Sequence, residues 1–398
     1  MLRLSPLKAL FTAQFLSAFV DNMILFIVLA IINRDGYPDY YLPFVQSTFL
    51  VSYIVLSPWV GRFADRKTKS EVLIIGNIVK AGGVLLLFAG CNPALSYAAV
   101  GLGAVIYSPA KYGILPFLTR NEDELLRANS GLESYTILAI LTGSVAGGML
   151  SDLSVSLALS ACLVLYGASI AVNTMIPKNP GNRSVGYRHA IGEFYADIVT
   201  LLRNPQSHYS LIGSGSFWLA SAVLRMIIFA WVPLMLGITS GTSISLIIAV
   251  TGVGIAVGAA VTPYLITIKN YHRTVWFGYA MGGCILTFLL IGSLHTAIVF
   301  LLLIGVLGGI YIVPMNAALQ QVGQRTVGEG KTIAVQNFFE NSFMCLGVGL
   351  YTFAVQKGVT VHNAIGATGA VLLLCVSYLL IYSKLGKKTD PQAEDRFR

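Results

Sequence analysis

The stretch Gly61-Arg62-Phe63-Ala64-Asp65-Arg66-Lys67-Thr68-Lys69 sets one acid and four bases between two long apolar runs, with the spacing G-x-x-x-D-R-x-x-[RK]. A polar link this short, flanked on each side by about 20 mostly apolar residues, reads as a loop at a membrane surface joining two spanning helices. An acid at Asp65 suits a helix N-terminus, and the bases suit carboxylates or lipid phosphate. Gly61, Asp65, Arg66 and Lys69 are therefore candidate gate residues on the cytoplasmic side.

The same alternation of apolar runs and short polar breaks fills the chain on both sides of this stretch. The 398 residues are 56% hydrophobic and only 11% charged, against about 25% charged in an average soluble domain. A soluble globular enzyme is excluded by that balance, and disorder by the scattering of glycine through apolar rather than polar sequence. We count twelve spans, at about 7–32, 42–63, 71–90, 94–118, 130–150, 155–176, 209–235, 242–267, 274–293, 296–320, 329–356 and 363–383. The first is too long, and lacks the cleavage site, for a removable signal peptide.

Of the 26 Lys and Arg residues, 21 fall in segments on the N-terminal side of the membrane and two, Arg34 and Lys357, in opposite loops. Positive charge stays on the cytoplasmic side, so both termini are expected there. The formal charge of +9 is a topology signal spread over many short segments, which gives no support to nucleic-acid binding. Residues 177–208 form the longest polar connection, in which Ile191, Phe194, Tyr195, Ile198, Leu201 and Leu202 repeat at helical spacing. That pattern predicts an amphipathic helix on the cytoplasmic leaflet. The expected organisation is a bundle over 1–176, this linker, a second bundle over 209–383, and a tail over 384–398.

The two halves repeat. Gly103, Pro109 and Lys111 match Gly308, Pro314 and Asn316 at a shift of 205 residues, Pro58 matches Pro263 at the same shift, Asp21 matches Arg225 at 204 and Glu133 matches Glu340 at 207. A six-plus-six duplication with a central cytoplasmic loop, together with the Gly61–Lys69 pattern, resembles the major facilitator superfamily. The fold expected is thus all-α, with twelve transmembrane helices in two pseudo-symmetric six-helix bundles.

A charge at membrane depth costs several kcal/mol unless it is paired or wet, so intramembrane ionisable residues are functional candidates by default. This chain has six: Asp21, Lys80, Lys111, Glu133, Arg225 and Glu340. Asp21 and Arg225 each lie about 20–25 Å from the cytoplasmic start of their helices, at matching depth. Lys111 follows Pro109, which removes a backbone hydrogen bond and bends the helix. These three are candidates for the translocation path. Lys80, Glu133 and Glu340 are read as charge-pair or gate residues, and Lys80 and Glu133 equally as groups that only hold helices together. The five histidines lie in loops or near span ends, and the sequence holds no Walker A motif. The five cysteines have no close spacing, so neither a metal site nor a disulfide framework is expected. No cofactor is implied.

The runs Gln14-Phe15-Leu16-Ser17-Ala18-Phe19-Val20-Asp21-Asn22, Tyr107-Ser108-Pro109-Ala110-Lys111-Tyr112-Gly113-Ile114-Leu115, Gly143-Ser144-Val145-Ala146-Gly147-Gly148 and Ile333-Ala334-Val335-Gln336-Asn337 resemble the bacterial lysophospholipid transporters of the inner membrane. That resemblance implies movement of lysophosphatidylethanolamine and lysophosphatidylglycerol from the outer to the cytoplasmic leaflet by alternating access. There a separate acyltransferase/acyl carrier protein synthetase restores the missing chain. It implies that the central polar residues are Asp21, Lys111 and Arg225. Arg225 and Lys111 would take the phosphate, and Asp21 the ammonium, or Arg225 when the site is empty. Val20 departs from the glycine expected before the aspartate. The competing reading is a proton-coupled exporter of amphipathic drugs or metabolites, with Asp21 titrating. A third is a non-transporting scaffold for the acyltransferase.

Overall fold

A computed structural model describes residues 5–120, 122–266 and 268–389; the side chains at 122, 123, 125–127, 129, 130, 133, 268, 269, 324, 329 and 385–389 fall outside the description. Every described element is helical. The first unit contains α1 (Pro6–Arg34), α2 (Tyr41–Arg66), α3 (Lys69–Phe88), α4 (Pro93–Gly113), the single turn α5 (Leu115–Leu118), α6 (Glu122–Leu153) and α7 (Val155–Asn173). Then follow α8 (Ala190–Arg203), α9 (Pro205–Leu236), α10 (Gly241–Leu265), α11 (Thr274–Thr287), α12 (Leu294–Arg325), α13 (Glu329–Gln356) and α14 (Val361–Thr389). In hydrocarbon no water satisfies backbone N–H and C=O groups, so a spanning chain must close its hydrogen bonds within each segment.

The helix ends are set by local chemistry. Asn92 accepts from the N–H groups of Ala94 (2.9 Å) and Leu95 (3.4 Å), with Pro93 at the first helical position of α4. Asn204 and Pro205 repeat the device at the start of α9. That helix stops at Gly237, whose φ of +66° suits a residue without Cβ.

The chain divides into two compact units, one of Met1–Glu193 with Ser240–Leu246, the other of Phe194–Thr239 with Ile247–Arg398. Asp152, at the end of α6, explains the outlying segment: its carboxylate accepts from the N–H groups of Gly241 (2.9 Å) and Thr242 (2.8 Å). The expected linker over 177–208 is accordingly shared between the units. The helix inside it is present, but only Ile191 and Tyr195 leave its apolar face exposed. Leu201 is fully buried with Leu211, Leu319, Val322 and Val335, and Phe194, Ile198 and Leu202 pack on that cluster. The face expected to meet lipid is mostly covered by the protein's own second unit.

Both units pair their helices in the same way. In the first, α1 packs on α6 and α7, α3 on α4 and α7, and α4 on α2; in the second, α9 packs on α13 and α14, and α11 on α12 and α14. The α2–α4 partner of this pattern is α10–α12, where backbones meet at glycine: a methyl on Gly254 would lie 2.4 Å from the Leu302 carbonyl oxygen, and one on Gly258 2.1 Å from that of Val306. The repeat read in the sequence is thus a repeat of contacts.

Eleven of the described helices are long and apolar enough to cross a membrane. The one expected span missing from that set is α4, long enough at 21 residues but diluted by Tyr97, Tyr107, Ser108, Pro109 and Lys111. It passes through Pro109 without losing helix and ends at Gly113, so the expected span to 118 is one helix plus the separate turn α5.

The α3–α4 contact depends on absent side chains. A methyl on Gly103 would sit 2.5 Å from the Gly76 carbonyl oxygen and 2.7 Å from the Lys80 nitrogen, both backbone atoms that cannot swing aside. Gly103→Val is expected to cost at least about 1–3 kcal/mol of stability, read as a lower melting temperature of the purified protein. Gly167→Ala, whose methyl meets nothing within 4 Å, serves as the neutral control.

Candidate functional site

The polar residues of α1, α3 and α7 follow helical spacing: Gln14, Ser17 and Asp21 on α1, Asn77 and Lys80 on α3, and Tyr166, Ser169 and Asn173 on α7. Steps of three and four keep each set on one face. Packing brings the faces together. Lys80 Nζ lies 2.6 Å from Asp21 Oδ2 and donates to Ser17 Oγ at 2.9 Å. The Tyr166 hydroxyl donates to Asp21 Oδ1 at 2.7 Å. Ser17 donates to Asn77 Oδ1 (2.7 Å), Asn77 Nδ2 to Ser169 Oγ (2.8 Å), and Ser169 to the Ala13 carbonyl (2.8 Å). Aromatic faces complete the lysine's shell, with its ammonium 4.7 Å from the Tyr107 ring centroid.

Within the pair the exposure is uneven. The Lys80 side chain is 2% exposed and that of Asp21 21%. Lys80 closes the back of the site while Asp21 presents a polar edge. The partner expected for Asp21 in the empty protein was Arg225; the partner observed is Lys80, whose stem packs along α4 at Gly103 and reaches α1 within the same unit.

The second unit is built otherwise. Glu340, on α13, accepts from Gln336 Nε2 at 2.8 Å, and the same amide nitrogen donates to Asn316 Oδ1 on α12 at 3.1 Å. Arg225 lies on α9 and is half-buried. Lys111, also half-buried, stands near the end of α4 with its ammonium 4.7 Å from the Tyr112 ring centroid. The backbone of Glu133 lies in α6, but its side chain is outside the described residues.

The expected loop over Gly61–Lys69 is shorter than its sequence suggests: α2 runs on to Arg66, so only Lys67 and Thr68 lie between the helices and Asp65 stands in the last turn of α2 rather than at a helix N-terminus. Lys69, largely buried, donates through Nζ to the Ala64 carbonyl (2.9 Å) and pairs with Asp65, satisfying the end of α2. Thr68 caps α3 by accepting from Glu71 N. The connection after α7 then folds back over the loop: Asn179 Oδ1 accepts from Lys69 N (2.7 Å), Asn182 N donates to the Asp65 carbonyl (2.9 Å), and Arg62 pairs with Glu193. Arg66 lies 5.5 Å from the Tyr187 ring centroid. A methyl on Gly61 would meet nothing within 4 Å, so that glycine is not required by packing in this arrangement.

Of the expected residues, Asp21 and Lys80 thus meet in one cluster, Asp65 and Lys69 in another, and Glu340 stands in a third. Ser17, Asn77, Tyr166, Ser169, Gln336 and Arg62 were not singled out. For Ser17, Asn77 and Gln336 the signal was there, as a polar residue one turn from a charge on the same helix; α7 carries no charge, so Tyr166 and Ser169 had none. Uncharged residues are ordinary in glycine-rich membrane helices, however, and only the folded partner gives them meaning.

Removing one member of a buried pair strands the other, at a cost of about 3–5 kcal/mol. Asp21→Asn and Lys80→Met are each expected to lower the melting temperature of the detergent-solubilised protein, and the double variant to recover most of the loss. Additive losses in the double variant would mean that the pair does not act as a unit.

The Major Facilitator Superfamily model matches residues 10–351. The lysophospholipid transporter LplT of Pectobacterium carotovorum subsp. carotovorum (strain PC1) is 43% identical over 358 residues, covering 89% of this chain and 88% of that protein. That of Escherichia coli (strain SE11) is 41% identical over 382 residues, covering 95% and 96%. Among solved structures, a POT family transporter in complex with 5-aminolevulinic acid matches with a TM-score of 0.73 at 14% identity, covering 95% of this chain and 96% of that one. A bacterial homologue of the iron transporter ferroportin, in an outward-facing state, matches with a TM-score of 0.66 at 17% identity, covering 96% and 100%. The last two speak for the fold, the first two for the family: this chain belongs to the Major Facilitator Superfamily and, within it, to the lysophospholipid transporters.

Proposed function

We propose that this protein carries lysophosphatidylethanolamine and lysophosphatidylglycerol from the outer to the cytoplasmic leaflet of a bacterial inner membrane, with both termini cytoplasmic. The observation that carries this reading is the end-to-end similarity, at about two residues in five, to proteins named lysophospholipid transporters. A separate acyltransferase/acyl carrier protein synthetase consumes the delivered lipid. The movement is one of alternating access, downhill or drawn by reacylation.

The chemistry of the residues supports the assignment. A lysolipid presents a phosphate, an ammonium or glycerol group and one long chain, which calls for a small polar site beside apolar surface. Arg225 takes the phosphate, because a planar guanidinium binds it through two parallel hydrogen bonds. Lys111 adds a second cation. Asp21 takes the ammonium through the edge that Lys80 leaves open, and Lys80 returns to full pairing when the lipid leaves. The Gly61–Lys69 loop, with its clasp by residues 179–193, acts as the cytoplasmic gate.

The test is delivery of labelled lysophosphatidylethanolamine to the inner leaflet of proteoliposomes. Wild type is expected to deliver it, and Asp21→Ala and Arg225→Ala to lose at least about 90% of the rate, which is about 1.4 kcal/mol of barrier. Arg225→Lys is expected to fall by a similar factor despite its retained charge, and wild-type rates in that variant would reject the phosphate geometry. No delivery by folded wild type, in either orientation, would overturn the function itself.

A further inference from the structure

Asp21 is held by two donors from two different helices. Lys80 of α3 lies 2.6 Å from Oδ2, and the hydroxyl of Tyr166 of α7 donates to Oδ1 at 2.7 Å. Meeting the charge of the aspartate needs only the first. The second is uncharged and belongs to a fully buried side chain.

The reach from α7 to Asp21 is set by a register. Ser169 donates to the Ala13 carbonyl at 2.8 Å and Tyr166 donates to Asp21, so residue numbers rise on α1 as they fall on α7. From Ala13 to Asp21 the rise along α1 is eight residues, about 12 Å, whereas from Ser169 back to Tyr166 it is three, about 4.5 Å. A serine or threonine at 166 would leave that difference unbridged. The hydroxyl of a tyrosine, at the far end of its ring, covers it. Cys162 one turn before and Ser169 one turn after are fully buried as well, which fixes the seat of the ring.

The last torsion of an aspartate is broad and two-fold, so a single contact at Oδ2 leaves the plane of the carboxylate free to turn. A second contact at Oδ1, from another helix, fixes that plane. Each oxygen has two lone pairs, and Lys80 and Tyr166 take one on each; the others are left to the edge of a side chain that is 21% exposed. We infer that Tyr166 is a specificity-determining positioning residue: it holds the open edge of Asp21 in line for the N–H donors of an ethanolamine ammonium, so that recognition of this headgroup, and not of phosphoglycerol, depends on it. The inference rests on the reading in which Asp21 receives the ammonium. A glycerol headgroup has no cation to offer Asp21, so a change felt through the carboxylate falls chiefly on lysophosphatidylethanolamine.

The test is the concentration dependence of delivery in proteoliposomes, with labelled lysophosphatidylethanolamine and lysophosphatidylglycerol measured in parallel on the full-length protein. Tyr166→Phe keeps the buried ring and removes only the hydroxyl; its melting temperature in detergent checks the fold. Its KM for lysophosphatidylethanolamine is expected to rise about fivefold at an unchanged maximal rate, the loss of one oriented hydrogen bond, and its KM for lysophosphatidylglycerol to stay within about twofold. A tyrosine that only fills space would move both lipids alike. Asp21→Glu, which sets the carboxylate one methylene away from its place beside Tyr166, is the second variant and is expected to show the same split. Equal changes for the two lipids, or a Tyr166→Phe variant with the wild-type KM for lysophosphatidylethanolamine, overturn the assignment. Asp21→Ala separates the two readings. If it loses delivery of lysophosphatidylethanolamine while Tyr166→Phe is unchanged, only the role of Tyr166 fails; if it delivers as wild type does, Asp21 is not the acceptor of the ammonium and both fail.

Discussion

The ion pair between Lys80 and Asp21 is the interaction on which the first unit depends. A lysine with 2% of its side chain exposed can exist within a membrane helix only if its charge is met, and one carboxylate meets it. Much else serves this contact. Gly76 and Gly103 let α3 and α4 close until the lysine stem packs along α4, Ser17 and Tyr166 take the remaining hydrogen-bonding capacity, and Tyr107 covers the ammonium. Asn77 and Ser169 carry the network onward to the backbone of α1.

The second unit keeps the helix pairing of the first but not its electrostatics. Where α3 of the first unit contributes a lysine to Asp21, the second meets Glu340 with the amide of Gln336. A duplicated bundle is therefore not a duplicated site. Helix pairing is decided by glycine, alanine and apolar surface, which the two halves share. The charges lie on those same helices as single substitutions, and nothing in the packing obliges them to match.

Much of this was legible in the sequence. The spans followed from runs of apolar residues, the duplication from one near-constant offset through Gly103, Pro58 and Glu133, and the family from the runs around Asp21, Lys111 and Gln336. Two things were not. Asp21 was matched with Arg225 by depth and sign, and within its own unit the charge that reaches it is that of Lys80, on another helix. The linker helix was read as lying on lipid, since an amphipathic pattern shows that a face is buried without showing what buries it; Leu201, Ile198 and Phe194 bury it against protein.

The polar residues of α4 bear on how the chain enters the membrane. A helix that holds Tyr107, Ser108 and Lys111 carries polar groups that hydrocarbon does not satisfy, and it buries Tyr97, Gly101, Gly103 and Ala110 against α2 and α3. Synthesis runs from the N-terminus, so both partners are already made when α4 emerges and can receive its polar face directly. Its counterpart α12 is among the most apolar spans of the chain and can partition into lipid unaided. The order of helices along the first half thus sets the partners of the polar face of α4 ahead of it in the chain.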